Sequence, residues 1–321
     1  MKSPTDTSWL HQPNVTIRPR ALKPGDTLGI VSPSSPIKPD LLEKGLALLH
    51  SREFKTKVFP HALDHTHMLA GLDKDRAADL MEAFQDPEVD AVYCSRGGYG
   101  CARLLPYLDF DLMAASRKML IGFSDITTLH LALQKRDTVS IHAPMALTLA
   151  YDREPWVIES FFRVIQGDGV VPEGATEGEA IVPGVAEGTL IGGCMCLLCD
   201  SIGAPNELDT KDRILIIEDV DESPHRVDAM LTHLLNCGKL QEAAGIVIGE
   251  MTRTDDKCDE SIGDQPWREI VRERLLKVGV PSMLNYPFGH MSTMLTIPLG
   301  VRARMDASLG TVELLEPICA P

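Results

Sequence analysis

The sequence predicts an α/β protein, with an N-terminal open, mostly parallel sheet flanked by helices and a second α/β domain behind it. Three observations predict it. Short apolar runs of strand length alternate with longer runs of helical period from Asp26 to Gln134, the pattern of parallel strands joined by helical crossovers. The 321 residues suffice for about two domains, each able to bury its own core. After residue 186 the alternation resumes and ends in four short apolar segments between Ser282 and Leu315, so the second half is mixed and richer in strand.

The elements follow in order. Asp26–Val31 reads as a buried strand ended by Ser32-Pro33-Ser34-Ser35-Pro36. Leu41, Leu42, Gly45, Leu46, Leu48 and Leu49 recur at helical spacing behind Pro39-Asp40. Lys55–Phe59 is a second strand and Asp73–Phe84 an amphipathic helix. Val89–Cys94 is a strand that runs into the turn Arg96-Gly97-Gly98-Tyr99-Gly100, and Lys118–Gly122 a strand left by the helix Asp125–Gln134. Glycine, proline and glutamate crowd 151–186, which reads as a linker between a domain at 20–150 and one at 187–316, with a leader at 1–19 and a tail at 317–321. In the second domain we expect a helix from about Cys194 to Ser201, strands at Arg213–Ile217 and Gly245–Gly249, and helices at Pro224–Leu235 and Gln265–Lys277.

Composition removes several function classes. Apolar residues at 44% and charged residues at 24% are those of a globular chain. A formal charge of −15 repels phosphate backbones and anionic lipid, so nucleic acid is not an expected partner. No apolar run reaches the ~20 residues of a membrane span, and Met1–Asp6 is polar, unlike a secretion signal; a cytoplasmic protein without a membrane partner is expected. The eight cysteines are too sparse for a disulfide framework. Cys194, Cys196 and Cys199 lie in an apolar run without a second ligand pair, and His61, His65 and His67 share no clear helix face. These residues read as buried thiols and solvated imidazoles rather than metal ligands, and no cofactor is expected.

Four places can carry chemistry. Ser124 falls where the strand Met119–Gly122 turns into a helix, which exposes its hydroxyl at a sheet's carboxyl end, beside backbone N–H groups suited to an oxyanion. The turn resembles a nucleophile elbow, with Ile126 in place of the second glycine of G-x-S-x-G; a helix cap is the alternative. The turn Ser95–Gly100 lets backbone approach a ligand, and without the G-K-[ST] ending it is no P-loop. Glu218 follows the apolar run Ile214–Ile217, a position for a buried acid that orients an imidazole, or for one member of a solvated acidic loop. His290 follows Gly289 in a loop between short apolar segments; His142, at the end of another strand, competes with it as the base. Serine, glutamate and histidine at three strand ends or loops together suggest nucleophilic catalysis.

These residues resemble the L,D-carboxypeptidases, or muropeptide carboxypeptidases, a serine peptidase family that includes microcin-immunity relatives. The resemblance covers residues 20 to 316. Its motifs are Lys23-Pro24-Gly25-Asp26 with Pro33-Ser34-Ser35, Asp73 to Leu80, Ser95 to Gly100, Ile121 to Thr127, His142-Ala143-Pro144-Met145, Leu215 to Asp219, and Gly289-His290 with Leu299-Gly300. It implies a smaller C-terminal α/β domain with a barrel-like sheet, a nucleophile at Ser124, an acid at Glu218 and a histidine at His290. It also implies oxyanion donors in the backbone N–H groups of Asp125 and Gly98, removal of the terminal D-alanine from murein tetrapeptides during cytoplasmic cell-wall recycling, and a homodimer. An exopeptidase must hold a free carboxylate, for which Arg96 is the candidate, with Gly97, Tyr99 and His142 near the substrate. Cys194, Met195, His225 and Ala229 depart from the family pattern and bear on substrate shape. Two alternatives stand beside this reading: hydrolysis of a peptidyl or aminoacyl nucleotide conjugate by the same triad, and a catalytically silent muropeptide-binding protein.

Overall fold

The computed structural model describes residues 16–169 and 171–321. Most of the expected leader, residues 1–15, lies outside the described residues. Its end is tied down: Ile17 bridges to Thr138, and Arg18 pairs with Glu316 at 2.6 Å.

Nine of the thirteen strands among the described residues run parallel to a neighbour, as the alternation of apolar runs with helices predicts. In the first sheet β1 (Thr27–Val31), β2 (Lys55–Val58), β3 (Ala91–Cys94), β4 (Met119–Gly122) and β5 (Ser140–His142) are parallel, in the order β5-β4-β3-β1-β2. All of β3, β4 and β5 is buried, as a sheet covered on both faces requires. The second sheet runs β6 (Glu179–Val182), β7 (Val185–Cys194), β8 (Ile214–Val220), β9 (Gly245–Thr252) and β10 (Ser282–Leu284); β7 to β10 are parallel and β6 pairs antiparallel to β10. A late strand, β11 (Ile297–Leu299), returns to the first sheet and pairs antiparallel with β5, and β12 (Arg302–Asp306) and β13 (Thr311–Leu314) extend the second sheet beyond β7. The first sheet is therefore mixed, and the second curls into a half-barrel.

The stretch 151–186 holds more structure than its composition suggests. Helix Pro155–Ile165 buries Val157, Phe161, Phe162, Val164 and Ile165, most of them in the core of the first sheet. Each such side chain contributes about 1.5–3 kcal/mol of transfer free energy, and the glycines and glutamates after residue 166 masked that periodicity. Strand β7 was also hidden. Its run is broken by Gly188, Gly192 and Gly193, whose missing Cβ atoms would meet neighbouring backbone or, at Gly193, Thr127 Oγ1 at 2.5 Å. Cys194 consequently ends a strand instead of starting a helix, which spans Met195–Asp200.

Helix Thr127–Gln134 is buried along its whole length because it lies between the sheets and contacts β5 on one side and β7 on the other. It also fixes the end of β4. Burial pushes the His130 pKa down to about 3, so the ring is neutral; its two nitrogens bond Ser140 Oγ at 2.8 Å and the Gly122 carbonyl at 2.9 Å.

Candidate active site

The loops after β1, β3 and β4 leave the carboxyl edge of the first sheet together, at the point where strand order reverses between β1 and β3. Ser124 stands there with φ of 65°, a left-handed backbone that costs a residue with a Cβ about 1–2 kcal/mol. Extended Phe123 precedes it and a 3-10 turn, Ser124–Ile126, carries it into the helix. The strain is that of a sharp elbow which lifts the hydroxyl off the strand end.

The three residues from separate strand ends form one row. His290 Nε2 lies 2.9 Å from Ser124 Oγ, and His290 Nδ1 lies 2.7 Å from Glu218 Oε2. Glu218 is fully buried, whereas His290 keeps a small exposed edge beside the Phe123 ring, 4.8 Å between centroids. Gly289 has φ of 108°, and a Cβ there would stand 2.7 Å from Glu218. Only glycine lets the histidine loop come so close.

Charge and burial oppose one another in this pair. Burial disfavours the imidazolium, but the Glu218 carboxylate outweighs it and raises the His290 pKa above its ordinary value. Burial likewise resists ionisation of Glu218, and the two imidazoles facing it hold its pKa below the usual carboxylate range. His142 is the second of them. It is fully buried, with Nε2 3.8 Å from Glu218 Oε1, too long for a direct hydrogen bond, and its ring sits between Phe123 and Phe288. His142 thus lies behind the carboxylate rather than among the residues lining the cleft.

The glycine turn leans on the serine. A Cβ on Gly97 would fall 2.7 Å from Ser124 Cβ, and one on Gly98, whose φ is 114°, would fall 2.4 Å from Ser35 Oγ. Ser35 N donates to the Gly97 carbonyl at 3.3 Å and Tyr99 N to Ser35 Oγ at 3.2 Å, so the turn is stapled to the loop after β1. Asp125 pins the same corner: its buried carboxylate accepts from Ser34 Oγ at 2.6 Å and Cys101 N at 2.8 Å. Tyr99 itself is exposed.

A cleft of about 590 Å³ opens over Ser124 and His290. Three arginines line it, Arg96, Arg153 and Arg253. Arg253 is neutralised by Asp221. Arg96 donates to the Pro36 carbonyl at 2.9 Å, while its buried Nε finds no hydrogen-bond partner among the described residues. Half-buried Arg153 donates to the carbonyls of Thr148 at 3.0 Å and Ser292 at 3.3 Å and meets no carboxylate among the described residues. Sequence reasoning missed Arg153 because it lies in the stretch read as linker.

The fold and this row of side chains have the layout of a serine peptidase. Residues 28–143 match the LD-carboxypeptidase N-terminal domain and residues 187–305 the LD-carboxypeptidase C-terminal domain. The chain belongs to the LD-carboxypeptidase family. It is 35% identical to a protein of Bacillus subtilis named "Probable murein peptide carboxypeptidase", over 94% of this chain and 95% of that one. It is 31% identical to the murein tetrapeptide carboxypeptidase of Pseudomonas aeruginosa, over 88% of this chain and 93% of the relative. Among solved structures, the microcin C7 self-immunity protein MccF superposes with a TM-score of 0.85 at 22% identity, covering 95% of this chain and all of that one, a likeness of fold.

The chain is therefore a peptidase of the carboxypeptidase type. No helix among the described residues is long and apolar enough to cross a membrane.

Proposed function

We propose that this enzyme hydrolyses the amide between an L-configured centre and the terminal D-alanine of murein tetrapeptides, through an acyl-enzyme on Ser124, in cytoplasmic cell-wall recycling. The observation that carries the reading is the Ser124–His290–Glu218 row at 2.9 and 2.7 Å, on a strained serine at the floor of an open cleft. The similarity to murein peptidases over nearly the whole chain supports the substrate class.

In this mechanism His290 Nε2 takes the Ser124 proton as Oγ attacks the scissile carbonyl. Glu218 accepts the Nδ1–H bond, which selects the tautomer with a free Nε2 lone pair, and offsets the charge of the imidazolium. The backbone N–H groups of Asp125 and Gly98 receive the oxyanion, each worth roughly 3 kcal/mol in such sites. The imidazolium then protonates the leaving amine, and water, deprotonated by the same ring, releases the acyl group.

The terminal carboxylate is assigned to Arg153, with Arg96 as a second cation lining the same cleft. A half-buried guanidinium without an acid partner is an anion site in waiting, because a charge-assisted hydrogen bond is worth about 1.5–3 kcal/mol. Arg153→Ala should lower kcat/KM on the free tetrapeptide about 10- to 100-fold and leave a C-terminally amidated peptide almost unaffected. Equal losses on both peptides would remove Arg153 from carboxylate recognition.

The deciding experiment incubates the protein with a defined murein tetrapeptide and follows loss of one alanine by mass spectrometry, with Ser124→Ala as the control. Alanine release that survives in Ser124→Ala refutes the nucleophile. Cleavage of an aminoacyl sulfamoyl- or phosphoadenosine in preference to the tetrapeptide would move the chain to the nucleotide-conjugate reading. Binding without turnover would leave a silent muropeptide receptor.

A further inference from the structure

Behind the catalytic glutamate lies a second cluster that the proposed reaction does not use. The end of β7 and the start of helix Met195–Asp200 bring Cys194 and Cys196 together, Sγ to Sγ 3.4 Å. Asp219 joins them from β8, with Oδ1 3.5 Å from Cys194 Sγ, and all three ligand atoms lie within 4.8 Å of one another. The carboxylate is already oriented, because its oxygens accept from Cys196 N and Val220 N, each at 2.8 Å. Cys199, one turn further on, points its thiol to the Met230 carbonyl at 3.6 Å and stands outside the set.

We propose that Cys194, Cys196 and Asp219 form a binding site for a divalent d¹⁰ cation of the zinc class. The spacing is the argument. Zinc–sulfur bonds of about 2.3 Å and zinc–oxygen bonds of about 2.0–2.2 Å put the edges of a tetrahedron at about 3.8 Å between sulfurs and about 3.5 Å between sulfur and oxygen. The 3.4 and 3.5 Å edges from Cys194 lie within a few tenths of an ångström of these values, and the third edge, between Cys196 and Asp219, is within 4.8 Å and closes onto the ion when it binds. Two sulfurs and one carboxylate select zinc or cadmium over calcium or magnesium, which take oxygen ligands. Cys196 is only partly buried, so the ion and a water in the fourth position can reach the pair from its side.

Binding deprotonates both thiols: one dication enters and two protons leave, with no change of oxidation state. The net charge beside Glu218 is conserved. Cys194 is also the register partner of Glu218 across β7 and β8, so an ion here braces the strand ends that carry the glutamate without cancelling its charge. The site does not depend on the assigned substrate.

The test titrates the reduced, metal-free full chain with cadmium and reads the sulfur-to-cadmium charge-transfer absorption, then competes with zinc. We expect one equivalent per chain, an affinity weaker in Cys196→Ser and in Cys194→Ser by at least the roughly 100-fold that loss of even an outer-shell partner can cost, and an unchanged titration in Cys237→Ser. The last variant matters because exposed Cys237 lies 3.9 Å from His233 and could bind cadmium adventitiously. Absence of the thiolate band, or a band that survives both inner variants, or one that disappears with Cys237, overturns the proposal. Circular dichroism and melting of Cys196→Ser, whose side chain is partly exposed, separate loss of the site from loss of the fold.

Discussion

Replacing Glu218 by glutamine removes one charge and almost no volume, and so isolates what that charge does. The carboxylate is fully buried and bonds His290 Nδ1 at 2.7 Å, so the charge centres of the ionised pair are separated by about 4 Å. At an effective dielectric constant near 20, that separation is worth about 4 kcal/mol of attraction on the imidazolium, or about 10³-fold in rate. The amide adds a second fault, since its NH₂ group can face Nδ1 and select the tautomer with a proton on Nε2, which cannot accept one from Ser124. Together these give an expected fall in kcat/KM of about 10³- to 10⁴-fold, with little change in KM. The pH profile separates the terms. In the proposed mechanism neutral imidazole is the base, and its pKa is held above the ordinary 6.5 against the opposition of burial, so the ascending limb of the native enzyme should have its midpoint above 6.5. In Glu218→Gln burial remains while the carboxylate is gone, and the midpoint should move down. Stopped-flow or discontinuous assays of tetrapeptide cleavage between about pH 5 and 9 supply both numbers. A variant within about tenfold of the native rate, with an unmoved midpoint, would refute the electrostatic role assigned to Glu218.

Two further substitutions probe the elbow. Ser124→Ala and Ser124→Gly should both lack turnover, but the glycine variant should be up to about 1 kcal/mol more stable, because it relieves the φ of 65° at the cost of some unfolded-chain entropy. Differential scanning calorimetry would show this as roughly 2 °C in melting temperature, and a less stable glycine variant would argue that the elbow stores no strain. Gly97→Ala brings a methyl group to 2.7 Å from Ser124 Cβ, so the turn or the serine must shift. Since misplacement by about 1 Å costs roughly 10²-fold, kcat/KM should fall by that order while melting changes little, and full activity would show that the turn is not seated on the serine.

The sequence made the parallel strands legible because each is short, apolar on both faces and closed by turn residues. Ser124, Glu218 and His290 were legible as candidates for a related reason, since each follows an apolar run, at a strand's turn, within the end of a strand or in the loop beyond one. Their mutual distances were not, because residues 166 apart are brought into contact only by the packing of two sheets. His142 shows the limit well. A three-residue strand has too little alternation to tell which way its last side chain points, and the ring lies under Glu218 instead of in the cleft. Helix Pro155–Ile165 and β7 were hidden by local composition, which averages glycine and glutamate with the apolar residues that matter. Arg153 and the thiol pair with Asp219 carry no motif; they exist as sites only once the chain has folded.

The division of the proposed reactive set between two sheets raises the question of how tenths of an ångström are held across the junction. The answer lies in bonds placed directly behind each residue. Thr127, three positions after Ser124, accepts a hydrogen bond from Cys194 N at 3.1 Å, and Cys194 is in register with Glu218. Gly193 permits that contact, since a side chain there would displace Thr127. The histidine loop is anchored at both ends: Tyr286 N and the Phe288 carbonyl bond to β9 in the second sheet, and a few residues later β11 enters the first sheet beside β5. Serine, glutamate and histidine are thus each one to a few residues from a link that crosses the domain boundary. Closure of the domains is unnecessary for assembling the row, so that under the proposed function binding free energy remains available for orienting the peptide's terminal carboxylate and scissile amide.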